Sequence, residues 1–88
     1  MLTTLVSLMA KNFITVEEVA ERFDISKATV NYYTNIGLIQ VLQKKKNRRL
    51  YDAHDVEKRI NKVREMLNMG YTLRLIQREF LQAKVFFT

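Results

Sequence analysis

The sequence predicts a mainly α-helical domain of about four helices with one small β-hairpin. The 88 residues include no proline and only two glycines, which is typical of compact helical structure. Four segments repeat their apolar residues at helical spacing. Between the second and third segments, two short apolar stretches flank a basic hexapeptide, as in a hairpin. A chain of this length holds one domain with a modest core, which suits a binding module better than an enzyme.

The first two predicted helices are separated by a very short turn. The first helix has apolar side chains at i, i+3, i+4 and i+7, which are Val16, Val19, Ala20 and Phe23. Thr15 and Glu18 have the spacing of a capping box at its start. Ser26 is placed to cap a second helix that runs from Lys27 to about Asn35, and Gly37 can end that helix in the left-handed conformation.

The hairpin and two further helices follow. We expect the hairpin strands in the apolar stretches 38–42 and 50–51, joined by a charged loop. Asp52 is placed to cap a third helix that ends at Gly70. Its apolar positions are Val56, Ile60, Val63 and Leu67. Thr72 is placed to cap the fourth helix, whose apolar residues are Leu73, Ile76 and Phe80.

Three regions are expected along the chain: an N-terminal extension over residues 1–12, the domain over 13–81 and a short tail over 82–88. The extension lacks a basic leader and its apolar run is far shorter than a membrane span, so we expect neither a signal peptide nor an anchor. Its apolar side chains are expected to cover part of the core or a partner; they are Leu2, Leu5, Val6 and Met9. Core or dimer contacts are expected of Phe80, Leu81, Val85, Phe86 and Phe87.

Positive charge is concentrated in the hexapeptide. The net charge of the chain is +6. Five basic side chains lie within residues 44–49, namely Lys44, Lys45, Lys46, Arg48 and Arg49. Such a cluster is either a solvated surface or a site for a polyanion such as DNA. The chain has no cysteine, which excludes a disulfide framework, a thiolate metal site and a cysteine nucleophile.

Residues 16–33 have the spacing of a DNA-binding helix-turn-helix. Ala20 is small enough for two helices to cross closely, and Ile25 enters the core from the turn. Asp24 occupies the usual glycine position of the turn, and Asp is one of the residues that enter the left-handed region most readily.

The run Ser26–Ile39, SKATVNYYTNIGLI, resembles the signature of MerR-type regulators. Later segments also resemble that family in order and spacing; they are Arg49–Tyr51, Asp55, Val56, Met69–Leu73 and Ile76. The resemblance spans Phe13 to about Leu81. It implies a winged helix-turn-helix domain that binds duplex DNA as a two-fold dimer. The second helices would enter successive major grooves, and the hairpins, or wings, would lie along the backbone.

Two groups of residues are expected to bind DNA. Base reading is expected from Lys27, Thr29, Asn31 and Tyr32 on the solvent side of the second helix. Phosphate binding is expected from Ser26, Lys44, Lys45, Lys46, Arg48, Arg49, Tyr51, Arg64, Tyr71 and Arg74. Core packing is an open alternative for Tyr51, as is a solvated helix face for Arg64 and Arg74. Asn31 departs from the family, which commonly has Arg there; Asn pairs with adenine where Arg favours guanine or phosphate.

The expected function is sequence-specific binding of double-stranded DNA by a bacterial transcription regulator in the cytoplasm, on the nucleoid. Its partners would be a second copy or another DNA-bound protein, and RNA polymerase. One alternative is an excisionase-like or chromosome-anchoring protein, because few residues follow the fourth helix where related regulators have a long dimerising helix. A protein-interaction adaptor without DNA binding is an alternative of another class. We expect no enzyme activity, cofactor or metal, since His54 is isolated and no phosphate loop or acid pair is visible.

Overall fold

The computed structural model describes residues 12–82, which form four helices and a three-stranded antiparallel sheet. In chain order the elements are β1 (Phe13–Thr15), α1 (Val16–Phe23), α2 (Lys27–Asn35), β2 (Gln43–Lys45), β3 (Arg48–Asp52), α3 (Ala53–Asn68) and α4 (Leu73–Gln82). The predicted fold class, a mainly helical winged helix-turn-helix, is confirmed. Predictions that fall outside the described residues are those for Leu2, Leu5, Val6, Met9, Val85, Phe86 and Phe87.

All four helices begin at the side chains predicted to cap them. The Thr15 hydroxyl accepts a hydrogen bond from the Glu18 backbone N–H at 3.2 Å, and the Glu18 carboxylate accepts one from the Thr15 N–H at 3.0 Å. These two bonds complete the capping box. The other three helices start in the same way, with side-chain oxygens that accept from a backbone N–H two or three residues ahead; the caps are Ser26, Asp52 and Thr72.

Two left-handed residues set the direction of the chain on either side of α2. Asp24 has a φ of 54° and ends α1, and the backbone N–H of Ile25 donates to the Ala20 carbonyl at 3.0 Å. Gly37 has a φ of 85°, and no atom lies within 4 Å of the position that a Cβ would take there. Glycine is therefore required at position 37 by the backbone conformation and not by a lack of space.

The first strand and the loop of the hairpin differ from their prediction, whereas the predicted second strand, residues 50–51, lies within β3. Leu38 and Ile39 belong to no strand and are buried in the core, and strand β2 begins only at Gln43. The basic hexapeptide is not a loop: most of it is paired in β2 and β3, and only Lys46 and Asn47 form the turn. Their φ angles are 52° and 66°, both left-handed, as in the two-residue turns that match the twist of paired strands.

The sheet has one strand that the sequence did not predict. Strand β1 pairs with β3 in antiparallel register, with Ile14 opposite Tyr51, so β3 lies in the centre of the order β1-β3-β2. Three residues are too few for a period-2 pattern to stand out. The pairing joins the start of α1 to the wing, because Thr15 lies in β1 and caps α1.

Two groups of buried side chains form the core. The first joins the sheet to α1, α2 and α3 and consists of Ile14, Val19, Val30, Ile39, Tyr51, Ala53, Val56 and Ile60. The second joins α3 to α4 and consists of Leu38, Val63, Met66, Ile76 and Phe80. Tyr33 packs against both. Leu67, one of the apolar positions at helical spacing, is 39% exposed, whereas Met66 is buried in the group that joins α3 to α4.

Within residues 12–82, none of the helices has the length and apolar character needed to cross a bilayer.

Candidate nucleic-acid interface

The exposed side of α2 forms a ridge beside the wing. Lys27, Asn31 and Asn35 are exposed and follow one another at intervals of four residues. Because an α-helix turns by about 100° per residue, they lie on one side of it. Tyr32, 51% exposed, lies next to them, whereas Val30 is fully buried in the core. The core therefore fixes the orientation of α2 and leaves this reading ridge (Lys27, Asn31, Tyr32 and Asn35) open to another molecule.

Thr29 lies off the reading ridge. It is half-buried, and about 200° of helical rotation separates it from Lys27. Its hydroxyl is 2.8 Å from the hydroxyl of Ser26, which also caps α2. Ser26 and Thr29 thus form one hydrogen-bonded cluster at the start of the helix, beside the ridge.

A positive groove separates the reading ridge from the wing. Its lining residues come from α1, α2 and the hairpin; they are Val16, Glu17, Lys27, Asn31, Lys44, Asn47, Arg48 and Arg49. Four of them are basic and one is acidic. Lys45 and Lys46 are exposed on the same hairpin. The structure therefore brings together the predicted base-reading helix and the predicted phosphate-binding wing.

Glu17 is the acidic residue of the groove. The Arg48 Nη2 atom lies 3.4 Å from Glu17 Oε1, and both side chains are more than half exposed. A backbone hydrogen bond to the carboxylate, together with the nearby charge of Arg48, lowers the pKa of Glu17 below its ordinary value. Glu17 is therefore ionised at neutral pH and opposes the positive charge of the groove.

Arg49 is directed at the reading ridge. Its Nη1 donates to Asn31 Oδ1 at 3.1 Å, and its Nη2 donates to Asn35 Oδ1 at 3.3 Å. One guanidinium thereby spans a full turn of α2, because the two asparagines are four residues apart. Among the predicted basic phosphate-binding residues of the wing, Arg49 bonds directly to α2.

Tyr51 is a core residue. Its side chain is fully buried, and its hydroxyl lies 2.7 Å from the hydroxyl of Thr34, which in turn donates to the Val30 carbonyl at 2.8 Å. Of the two alternatives for Tyr51, the structure shows core packing, and its hydroxyl is engaged with α2 and not directed at solvent. The hydrogen bond ties the centre of the sheet to the reading helix.

Arg64 makes a contact that neither of its two predicted roles includes. Its Nη2 donates to the carbonyl oxygen of Phe23, and its guanidinium lies 5.9 Å from the centre of the Phe23 ring. Phe23 is the last residue of α1, so this contact satisfies a carbonyl that the end of the helix leaves free. Arg64 therefore joins α3 to the helix that precedes the turn.

Tyr71 and Arg74 are exposed near the start of α4, but neither lines the groove between α2 and the wing. Sequence reasoning missed Glu17 and Asn47, which line the groove, and Asn35, which lies on the reading ridge. Asn35 had a signal, since it continues the four-residue spacing of Lys27 and Asn31. Asn47 also had one, since asparagine favours the left-handed turns of hairpins. Glu17 had no such signal, because its pairing with Arg48 depends on contacts between distant parts of the chain.

A family model described as MerR HTH family regulatory protein matches residues 14–83. The chain belongs to the MerR helix-turn-helix family. The resemblance predicted from the sequence is thereby confirmed, and with it a DNA-binding regulatory domain. No significant match is found among the curated proteins or the solved structures.

Within this MerR-type domain, His54 is exposed in the first turn of α3. No group of three or more His, Asp or Glu side chains in residues 12–82 is arranged to hold a metal ion.

Proposed function

We propose that the chain binds specific sequences of duplex DNA through the reading ridge and the wing, as the DNA-reading part of a transcription regulator. One observation carries the proposal: the groove places exposed polar side chains of a rigidly held helix beside a basic hairpin. A helix fits the major groove, where base edges present patterns of hydrogen-bond donors and acceptors. Basic side chains on the flanking hairpin match the phosphate backbone.

The two parts of the surface have different tasks. Lys27, Asn31 and Tyr32 would meet base edges or the phosphates next to them, with Ser26 and Thr29 at the start of α2 close to the backbone. Lys44, Lys45, Lys46 and Arg48 would bind phosphates and release counterions, which raises affinity for every duplex alike. Arg64 is engaged with Phe23, so further backbone contacts would come from Tyr71 and Arg74.

A salt titration with a fluorescent duplex tests DNA binding. Four to six phosphate contacts would give a log-log slope of affinity against salt of about −4 to −5. The double variant Lys44→Ala/Lys45→Ala should weaken binding to all duplexes and make the slope shallower by about 2. Lys58→Ala/Lys62→Ala removes the same charge from the exposed side of α3 and is the matched control. Equal effects of the two double variants, or a flat slope for the unmodified chain, would contradict the proposed surface.

A two-fold arrangement is part of the proposal. Two reading helices of a dimer would enter successive major grooves, so selection from a random duplex library should return two half-sites about one helical turn apart. A single half-site would indicate that the chain binds alone or beside another DNA-bound protein. The cellular setting proposed with it is the nucleoid of a bacterial cell, with RNA polymerase as a partner.

A further inference from the structure

Arg49 donates hydrogen bonds to two asparagines of the reading ridge, and affinity for phosphate does not explain these bonds. A guanidinium has five N–H donors and no acceptor. The atoms of Asn31 and Asn35 that face it are therefore the amide oxygens, as the distances of 3.1 and 3.3 Å to Oδ1 record. The opposite assignment of either amide would place two donors against each other.

We propose that Arg49 is a positioning residue that holds Asn31 with its Oδ1 engaged and its Nδ2 free, so that Asn31 reads guanine as a donor. This inference rests on the proposed DNA binding. The ordinary pairing of asparagine with adenine needs Oδ1 to accept from adenine N6 while Nδ2 donates to N7. Here Arg49 takes one of the two lone pairs of Oδ1 and sets its guanidinium against that side of the amide, and in this proposal the Nδ2 group is the part of the amide that meets a base.

Guanine is the base whose major-groove edge suits such a donor. It presents two neighbouring acceptors, N7 and O6, whereas adenine presents N7 beside the N6 amino group. An Nδ2 donor therefore finds two acceptors on the guanine edge, whereas on the adenine edge it finds one acceptor, N7, beside the N6 donor. The usual preference of asparagine for adenine is reversed by the neighbouring arginine.

The geometry explains why this task falls to Arg49 and not to the arginine beside it. Successive side chains of a strand point to opposite faces. Arg49 and Tyr51 lie on the face of β3 that meets α2 and bond to Asn31, Asn35 and Thr34. Arg48 pairs instead with Glu17. The two arginines therefore form a matched pair of equal charge in one strand, with only one bound to the reading ridge.

The experiment compares bound sequences selected from a random duplex library by the unmodified chain and by four variants. Asn31→Ala identifies the base pair that Asn31 reads, as the position that loses its preference. At that position the unmodified chain should favour G·C over A·T by about tenfold, the discrimination of a good base contact. Arg49→Ala and Arg49→Lys should both lose this preference and move toward A·T. Arg48→Ala should lower affinity for all sequences and keep the G·C preference.

Arg49→Lys is the decisive variant, because it keeps the charge but cannot span two amides with a planar fork. If charge alone mattered, Arg49→Lys would keep both the salt slope and the base preference. A G·C preference that survives in Arg49→Lys and Arg49→Ala, or an A·T preference in the unmodified chain, would overturn the inference and leave DNA binding intact. Failure of the unmodified chain to bind any duplex would overturn the proposed function as well.

A measurement without DNA checks the same contact. The side-chain NH2 groups of Asn31 and Asn35 should be ordered in the NMR spectra of the unmodified chain and of Arg48→Ala. Their order parameters should fall in Arg49→Lys, whose thermal unfolding shows whether the fold is kept. Unchanged order parameters in a folded Arg49→Lys would overturn the positioning role.

Discussion

The hydrogen bond between Tyr51 and Thr34 ties the wing to the reading helix, and its contribution to stability can be worked out from the structure. Each hydroxyl has one proton. Thr34 donates its proton to the Val30 carbonyl at 2.8 Å, so the Tyr51 hydroxyl is the donor across the 2.7 Å contact with Thr34 Oγ1. Removal of the Tyr51 hydroxyl and removal of the Thr34 hydroxyl therefore have different consequences.

Tyr51→Phe leaves Thr34 bonded to the Val30 carbonyl and removes one buried hydrogen bond, which should lower the free energy of unfolding by about 1 kcal/mol. Thr34→Val leaves the Tyr51 donor buried without a partner and should lower it by about 2 kcal/mol, since a buried unsatisfied group costs about 1–3 kcal/mol. The double variant replaces both partners by apolar groups. Its free energy of unfolding should fall by about 1 kcal/mol less than the sum of the two single losses.

Urea unfolding monitored by circular dichroism measures these values, with thermal shifts of about 4–8 °C per kcal/mol expected for a domain of this size. Tyr32→Phe is the matched control, because its hydroxyl is on a side chain that is 51% exposed; it should change stability by less than about 0.5 kcal/mol. If the double variant loses the sum of the two single losses in free energy of unfolding, Tyr51 and Thr34 are not coupled. If Tyr51→Phe loses no more than Tyr32→Phe, the hydrogen bond between Tyr51 and Thr34 is refuted.

Two further predictions follow from single residues. Gly37→Ala should lower the free energy of unfolding by about 1–2 kcal/mol, because a φ of 85° is unfavourable for a residue with a Cβ even where space is free; a thermal midpoint equal to that of the unmodified chain would contradict this. Glu17→Gln removes the carboxylate that pairs with Arg48, so it should tighten binding to every duplex several-fold at low salt, with Glu57→Gln on the exposed side of α3 as the control. A fluorescence titration with labelled duplex measures the affinity of the Glu17→Gln and Glu57→Gln variants. Weaker binding by Glu17→Gln would contradict the view that this carboxylate opposes the positive charge of the groove.

The features that could be predicted from the sequence are those fixed by neighbouring residues. Helix caps bond within three residues of themselves, so Thr15, Ser26, Asp52 and Thr72 identified all four helix starts. Asp24 in the left-handed turn was likewise predicted from its own conformational preference. The first wing strand was placed wrongly because its apolar signal is absent: β2 consists of Gln43 and two lysines, whereas Leu38 and Ile39 before it are buried in the core.

The candidate site could be predicted in composition but not in its internal contacts. Helical periodicity is enough to predict that Lys27, Asn31 and Tyr32 are exposed. The bonds from Arg49 to Asn31 and from Arg64 to Phe23 join residues 18 and 41 positions apart. No local pattern indicates such pairs, because they depend on how the helices and the sheet pack in three dimensions.

The contacts of β3 with α2 imply that the wing and the reading helix act as one unit. Arg49 and Tyr51 are two residues apart in β3 and bond to three side chains of one α2 face. Phosphates held by the wing would therefore fix the position of α2 in the major groove, and a displacement of β3 would move the base-reading side chains with it. Lys44 and Lys45 lie on β2, beyond this contact. Substitutions on β2 should therefore change affinity alone, whereas substitutions on the inward face of β3 should also change which bases are preferred.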